Sequence, residues 1–445
     1  MKAQPLHPSY NHARRDRVLL AIGICAFSQV LAGWTQPQPD ITASAPARCC
    51  ISESAPYRAA DATLSRKRFD LYHKLGVNII RTELVWREME PRAGEWLDEY
   101  HLNHIKLAQQ AGFRLKMNVC TLSAPPAWFL DAHPDAKIIN EFGDWSHNTL
   151  SLWYPALHQI IEQITDRLFQ YMAEGGLFTN LAFIAPDFGP ASEPLYPAVW
   201  TMGPHYTHGP TFWCYDANAQ ADFRTKMRAK YGDIATANAR WQSEFKNWSE
   251  VSIPPPKKRP GLFWEDVLTW YRDTKREFVL WQIRNYRTHM AKYKIQNVPV
   301  LLYVPGFHIT EEEWAAAIRS GAGAKNIRSM CDSEFLLETA RHENCWLQYT
   351  GSECEAEVAY LTGYMQQHNF SIPMWGENAG GPIESTVPSH LANVILKYGL
   401  YGLDYVHSYY VFEKDGLSPN AIFPQLKASY SRIQRGRPSS VLKGE

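Results

Sequence analysis

The chain reads as an α/β protein, a single (β/α)8 TIM-type barrel with a long insertion after its fourth strand. Three observations predict this. From about residue 46 onward, short apolar or β-branched runs alternate with longer amphipathic stretches, the pattern of repeated βα units around a parallel sheet. The runs number eight, at 49–52, 77–85, 114–120, 181–187, 298–304, 345–350, 372–375 and 405–409. The segment 194–274 lies between the fourth and fifth runs, and a minimal barrel has no place for it.

The first run is the least apolar, being only Cys49-Cys50-Ile51-Ser52. The helices between the runs are better marked. Residues 62–75 set Leu64, Phe69, Leu71, Tyr72 and Leu75 largely on one face, and 102–111 and 157–172 also carry helical spacing. Barrel enzymes place their extra segments in loops at the carboxyl ends of the strands, so the insertion is expected to build a substrate cleft. Within it, residues 253–258 carry three consecutive prolines and read as a stiff extended piece.

Forty-five basic residues balance forty-five acidic ones. No overall field draws the protein to nucleic acid or to an anionic membrane, and an uncharged substrate fits that balance. Sixteen Trp and twenty-three Tyr suit stacking on the apolar faces of sugar rings, although a Trp-rich core explains them as well. The eight cysteines form no CxxC pair and no zinc-type spacing with His, so no structural metal is expected. Cys345 and Cys354 could bridge in an oxidising compartment; buried free thiols are the commoner outcome.

Arg14, Arg15 and Arg17 precede an apolar run over 18–34 that ends in small residues near Ala32 and Gly33. This order is that of a signal peptide or N-terminal anchor over 1–34, followed by a Pro-containing linker at 35–45 and the catalytic barrel at 46–445. The expected location is secreted or periplasmic, with membrane attachment only through the N-terminus; a cytoplasmic protein remains open.

Glu193 carries the strongest chemical signal. It follows an apolar strand in Asp187-Phe188-Gly189-Pro190-Ala191-Ser192-Glu193-Pro194, a loop stiffened by Gly and Pro. Glycosidic cleavage needs a carboxylic acid beside the leaving oxygen, and a fixed, desolvated Glu at a strand's end keeps its proton near neutral pH. A loop Glu paired with an Arg is the plainer reading.

The stretch 188–197 resembles the acid-bearing Gly-Pro-Ala-Gly-Glu segment of β-amylases, glycoside hydrolase family 14. Segments around Phe212-Trp213-Cys214-Tyr215-Asp216, Leu268-Thr269-Trp270-Tyr271, Val304-Pro305-Gly306-Phe307-His308 and Gly376-Glu377-Asn378-Ala379 follow in the same order. Pro125-Pro126-Ala127-Trp128-Phe129 and the run from Phe223-Arg224 to Trp241 are similar instead to the β-galactosidases of family 42. Both families are barrels, the first inverting and the second retaining.

The resemblance implies Glu193 as general acid and offers two partners. Leu347-Gln348-Tyr349-Thr350-Gly351-Ser352-Glu353 is similar to a β-amylase run that suggests Glu353 as the base. Glu377, at the end of the next strand, is the alternative and would be the nucleophile of a retaining enzyme. Glu353 is the preferred choice, in an inverting, exo-acting O-glycosidase on a poly- or oligosaccharide, a reading that calls for no metal or organic cofactor. Glu353, Glu355 and Glu357 could equally form a solvated acidic run. Glu83 falls where β-amylases hold a terminal sugar, and a salt bridge to Arg81 or Arg87 competes with that role. Trp128, His308 and Trp314 are candidates for binding sugar, each as readily explained by packing, and Asn378 could bond a sugar hydroxyl or orient Glu377. The mobile glycine-rich loop of β-amylases is missing, which counts against starch, and Ser192 replaces the Asn that precedes the acid in most retaining barrel enzymes. A barrel that binds carbohydrate without catalysis is the reading from another class.

Overall fold

The computed structural model describes residues 48–53, 61–202, 206–254, 261–321, 323, 325–379, 384 and 386–436. The expected leader at 1–34, the linker at 35–45 and the proline run beyond Pro254 lie outside the described residues. Eight parallel strands form one sheet: β1 (Cys49–Ser52), β2 (Ile79–Val85), β3 (Arg114–Cys120), β4 (Leu181–Pro186), β5 (Leu301–Val304), β6 (Trp346–Tyr349), β7 (Met374–Glu377) and β8 (Leu403–Tyr405). Neighbours in sequence pair from β1 to β4 and from β5 to β8, and β8 returns to β1. A parallel bridge between Ile184 and Val300 joins β4 to the segment before β5, closing the ring. The barrel expected from the sequence is the fold.

The strand period of two explains the layering. Ile80 and Leu84 of β2, Leu115, Met117 and Val119 of β3, Leu302 and Val304 of β5, and Leu403 and Tyr405 of β8 face the helices in one large apolar cluster. Their alternates fill the barrel. Cys50, Ile79, Ala182, Phe183, Ala185, Leu301, Tyr303 and Trp375 form a smaller interior cluster, with Arg81, Lys116, Asn118, Gln348 and Asp404 buried as well.

The helices follow their sequence signals. The helix Ala62–Leu75 begins where the Asp61 side chain accepts from the backbone N–H groups of Thr63 and Leu64, and it stops at Gly76, whose φ of 89° is left-handed. Phe69, Tyr72 and Leu75 form its buried face. The helices read at 102–111 and 157–172 are Asp98–Gln110 and Leu157–Glu174.

The insertion after β4 contains the helices Ala217–Tyr231 and Ile234–Trp241 and the start of the long helix Leu262–Lys292. Its own core includes Phe212, Trp213, Phe223, Trp241, Trp264 and Trp270. The rings stack: Trp153 on Trp270 at 4.9 Å and Tyr196 on Tyr271 at 3.9 Å between centroids. Much of the aromatic excess is therefore packing. Six buried cysteines, Cys345 among them, and the half-buried Cys354 are free thiols. No helix among the described residues is long and apolar enough to cross a membrane.

Candidate active site

Polar side chains replace apolar ones inside the barrel toward the carboxyl ends of the strands. Arg81 on β2 pairs in register with Lys116 on β3, and Asp404 on β8 with Glu377 on β7. Lys116 Nζ donates to Asp404 Oδ2 at 2.5 Å and to Gln348 Oε1. Arg81 Nη1 donates to Glu377 Oε2 at 2.9 Å and to Asp404 Oδ2 at 3.4 Å. The amide of Gln348 donates to both carboxylates. Isolated buried charges cost several kcal/mol each, so two cations facing two carboxylates is the arrangement that tolerates burial. The Arg81 guanidinium and the Lys116 ammonium also lie over the Tyr303 ring, at 5.2 and 5.5 Å from its centroid.

Asp404 takes the larger share of the positive charge. Lys116 and Arg81 hold its carboxyl at about 2, overcoming burial. Glu377 moves the other way: burial, with Asp404 beside it, raises it despite Arg81. One carboxyl is thus locked as an anion while its neighbour stays receptive to a proton.

Glu193 follows β4 on a constrained loop. Ala191 and Ser192 adopt φ values of 56° and 64°, a left-handed conformation that costs non-glycine residues energy. Gly189 admits no side chain, because a Cβ there would lie 2.7 Å from the carbonyl oxygen of Glu193 and closer still to that of Leu195. Strain of this kind persists where surrounding structure enforces it, and here it aims one carboxyl. Glu193 Oε1 accepts from Thr350 Oγ1 at 2.6 Å, just beyond β6. Its carboxyl is raised to about 7, chiefly by burial and further by the charge of Glu377, with Thr350, Arg81 and Lys325 opposing. Glu193 thus senses the charge of Glu377.

The acidic run after β6 divides three ways. Both Glu353 carboxylate oxygens lie within hydrogen-bonding distance of the Ala379 N–H, at 3.0 and 2.9 Å, so this residue holds the loop following Glu377. Glu355 pairs on the outside with Lys397. Glu357 is buried and accepts from the His308 backbone N–H at 2.8 Å. The run is not a uniformly solvated face.

Glu83 lies two residues beyond Arg81 on the same face of β2, half-buried, and its charge helps raise Arg81. Arg87 instead donates to Asn148. His308 is fixed by Glu357 and stacks on Tyr360 at 3.6 Å. Trp128 donates to the Glu90 carbonyl at 2.9 Å and meets Trp86 edge-on. Trp314 lies under the Arg272 guanidinium at 4.5 Å. Asn378 is fully buried, its amide donating to the Val406 carbonyl and accepting from the Val406 N–H at 2.6 Å. The described contacts of Trp128, Trp314 and Asn378 are thus with the protein's own framework. Lys116 and Asp404 were not among the residues expected from the sequence, where Arg81 stood only as a partner for Glu83, and Gln348 and Thr350 only within the segment leading to Glu353. Their signal was charge or amide at alternate positions inside apolar strands, as in Ile80-Arg81-Thr82 and Leu115-Lys116-Met117.

A family model described as β-galactosidase, Glyco_hydro_42, matches residues 56–318, more than half of the chain. The chain belongs to this family of glycoside hydrolases. The likeness to β-amylases read in the sequence is present among relatives of this glycoside hydrolase too. A thermophilic β-amylase from Thermoanaerobacterium thermosulfurigenes is 23% identical over 330 residues, covering 67% of this chain and 56% of the relative. A β-galactosidase from a Geobacillus species is 27% identical over 203 residues, or 43% of this chain and 26% of the relative. The chain therefore spans about half, or less, of the length of these curated relatives.

Two solved structures share the fold. The catalytic domain of β-amylase from Paenibacillus polymyxa superposes with a TM-score of 0.73 at 18% identity, covering 88% of this chain and 99% of that one. A β-galactosidase from the psychrophilic Marinomonas ef1 gives 0.60 at 13% identity, over 86% and 58% of the two chains.

Proposed function

We propose that the chain is an inverting, exo-acting O-glycosidase on a neutral oligo- or polysaccharide, with Glu193 as general acid and Glu377 as general base. The observation that carries this reading is the state of Glu193: a carboxyl on a strained loop, raised to about 7 by burial and by Glu377 beside it. At neutral pH such a group retains a large protonated fraction and can donate. In the reaction, Glu377 takes a proton from water as the water oxygen bonds to the anomeric carbon. The bond from that carbon to the leaving oxygen breaks, and the leaving oxygen receives the Glu193 proton. The reaction calls for no cofactor.

The base role that the resemblance suggests for Glu353 passes to Glu377 in this proposal. Glu353 is engaged with the Ala379 N–H, whereas Glu377 acts directly on the charge of Glu193. A base benefits from a raised affinity for protons, and burial raises both carboxyls, so the charge linkage of Glu377 to Glu193 is what favours it. Glu83, at the mouth beyond Arg81, would take hydroxyls of a terminal sugar. A second reading, double displacement with Glu377 as nucleophile and net retention, draws on the match to the β-galactosidase family model.

Screening the purified protein on α-glucans, galactans and aryl glycosides, followed by proton NMR of the first-formed sugar, tests the proposal. Inversion is expected. Retention would transfer Glu377 to the nucleophile role, and no release of sugar from any substrate would leave a binding protein.

A further inference from the structure

We propose that Lys275 is a positioning residue for the general acid, a clasp that closes the Glu193 loop from behind and fixes the direction of its carboxyl. The inference rests on the reading of Glu193 as the acid.

Lys275 projects from the middle of the long helix Leu262–Lys292 and is 4% exposed. Its Nζ donates to the Phe188 carbonyl at 3.1 Å and to the Leu195 carbonyl at 3.0 Å. These two oxygens lie on opposite sides of Glu193, at the entry and the exit of its loop. The Tyr196 ring takes up the remaining side of the ammonium, 4.6 Å from Nζ to centroid. No carboxylate lies within ion-pair distance of Lys275 among the described residues. A buried lysine held by carbonyl dipoles and a ring face, with no paired carboxylate, pays a desolvation cost that a neutral residue would avoid. Burial pushes its ammonium down to about 7, with only Asp187 opposing.

The loop explains why a long donor is required. Ala191 and Ser192 are left-handed, and the backbone at Gly189 passes against the carbonyls of Glu193 and Leu195. This tight turn directs the Phe188 and Leu195 carbonyls inward, where without a donor both would be buried and unsatisfied. Asp187 secures the front of the same loop, accepting from the N–H groups of Leu122 and Ser123 at 2.8 and 2.6 Å. Lys275 secures the back. The loop then has one way to present Glu193, toward Thr350 and the barrel mouth.

A clasp of this kind acts only through the proton on Glu193, so its loss should depend on the leaving group. A displacement near 1 Å costs about 10²-fold when alignment matters. Lys275→Met removes the donors and keeps the apolar stem. The expected result is a fall in kcat of about 10²-fold on an unactivated disaccharide and of less than about 3-fold on a dinitrophenyl glycoside, which departs without protonation. KM should change little. Lys275→Gln keeps one donating amide, should lie between, and carries the test where the Met variant does not fold.

Glu193→Gln is measured alongside as the control. If it shows the leaving-group dependence and the folded Lys275 variants slow both substrates equally, Lys275 is merely structural and the inference fails while the acid assignment stands. If Glu193→Gln itself slows both substrates equally, the acid assignment fails and this inference with it.

Discussion

Replacing Arg81 by Met removes the cation that Glu377 and Asp404 share, and its consequences can be worked from the contacts. Arg81 donates to Glu377 at 2.9 Å and to Asp404 at 3.4 Å, inside the barrel. Two unit charges about 4 Å apart interact by roughly 4 kcal/mol at an effective dielectric of 20. At about 1.36 kcal/mol per pKa unit, the upper limit on the Glu377 shift is about three units. Relaxation makes one to three units the expected range. The sign follows from the cause: Arg81 lowers Glu377, so its loss raises Glu377 further and leaves less of it ionised at any given pH. The acidic limb of kcat/KM should move upward by one to three units. Asp404 keeps Lys116 at 2.5 Å and should remain ionised.

Stability should follow the same proton. Breaking a buried pair by removing one partner costs about 3–5 kcal/mol, and protonation of Glu377 recovers part of it. With its folded pKa above the unfolded value, Glu377 favours folding at low pH and loses that contribution as pH rises through the folded value. Urea unfolding should therefore show a larger deficit for Arg81→Met at pH 8 than at pH 5. An acidic limb that stays in place in a folded Arg81→Met protein would refute the role given to Glu377.

Other outcomes follow from the same geometry. Because Glu193 is raised to about 7, kcat/KM of the wild type should decline above about pH 7 as the acid loses its proton, read from a pH profile on an unactivated substrate. Thr350→Val removes the hydrogen bond that opposes this shift. A bond to a charged group is worth about 1.5–3 kcal/mol, so the alkaline limb should move up by about one to two units; no movement would mean that Thr350 does not sense the carboxyl. Asn378→Ala breaks both links to Val406 and should cost about 2 kcal/mol in urea unfolding. A loss of sugar affinity with unchanged stability would instead make Asn378 a substrate ligand.

The barrel was legible in the sequence because its outward residues are almost purely apolar, so β2 to β7 stand out as runs. The eighth strand was misplaced. It is Leu403–Tyr405 rather than 405–409, since Asp404 interrupts the apolar pattern, and nothing local reveals that Lys116 and Arg81 await it inside the barrel. The tightness of the Glu193 loop was legible for a physical reason: glycine, proline and a carboxylate after a strand describe a rigid turn with one polar tip. The division of Glu353, Glu355 and Glu357 was not, because three alternating carboxylates look alike until Ala379, Lys397 and His308 arrive from distant segments. The buried network has the same origin, with partners such as Lys116 and Asp404 lying 288 positions apart. Trp128 and Trp314 show the limit of composition, since an aromatic ring suited to a sugar is equally suited to another ring or a guanidinium.

In the proposed mechanism Glu193 and Glu377, rather than Glu193 and Glu353, form the working pair. The measurement that tests it most directly is kcat on one unactivated glycan for Glu193→Gln, Glu377→Gln and Glu353→Gln, each verified as folded. Losses of about 10²–10⁴-fold or more are expected for the first two and of less than about 10-fold for Glu353→Gln, whose amide still accepts from the Ala379 N–H. A Glu377→Gln protein that keeps its activity, beside a Glu353→Gln protein that loses it, would contradict the claim.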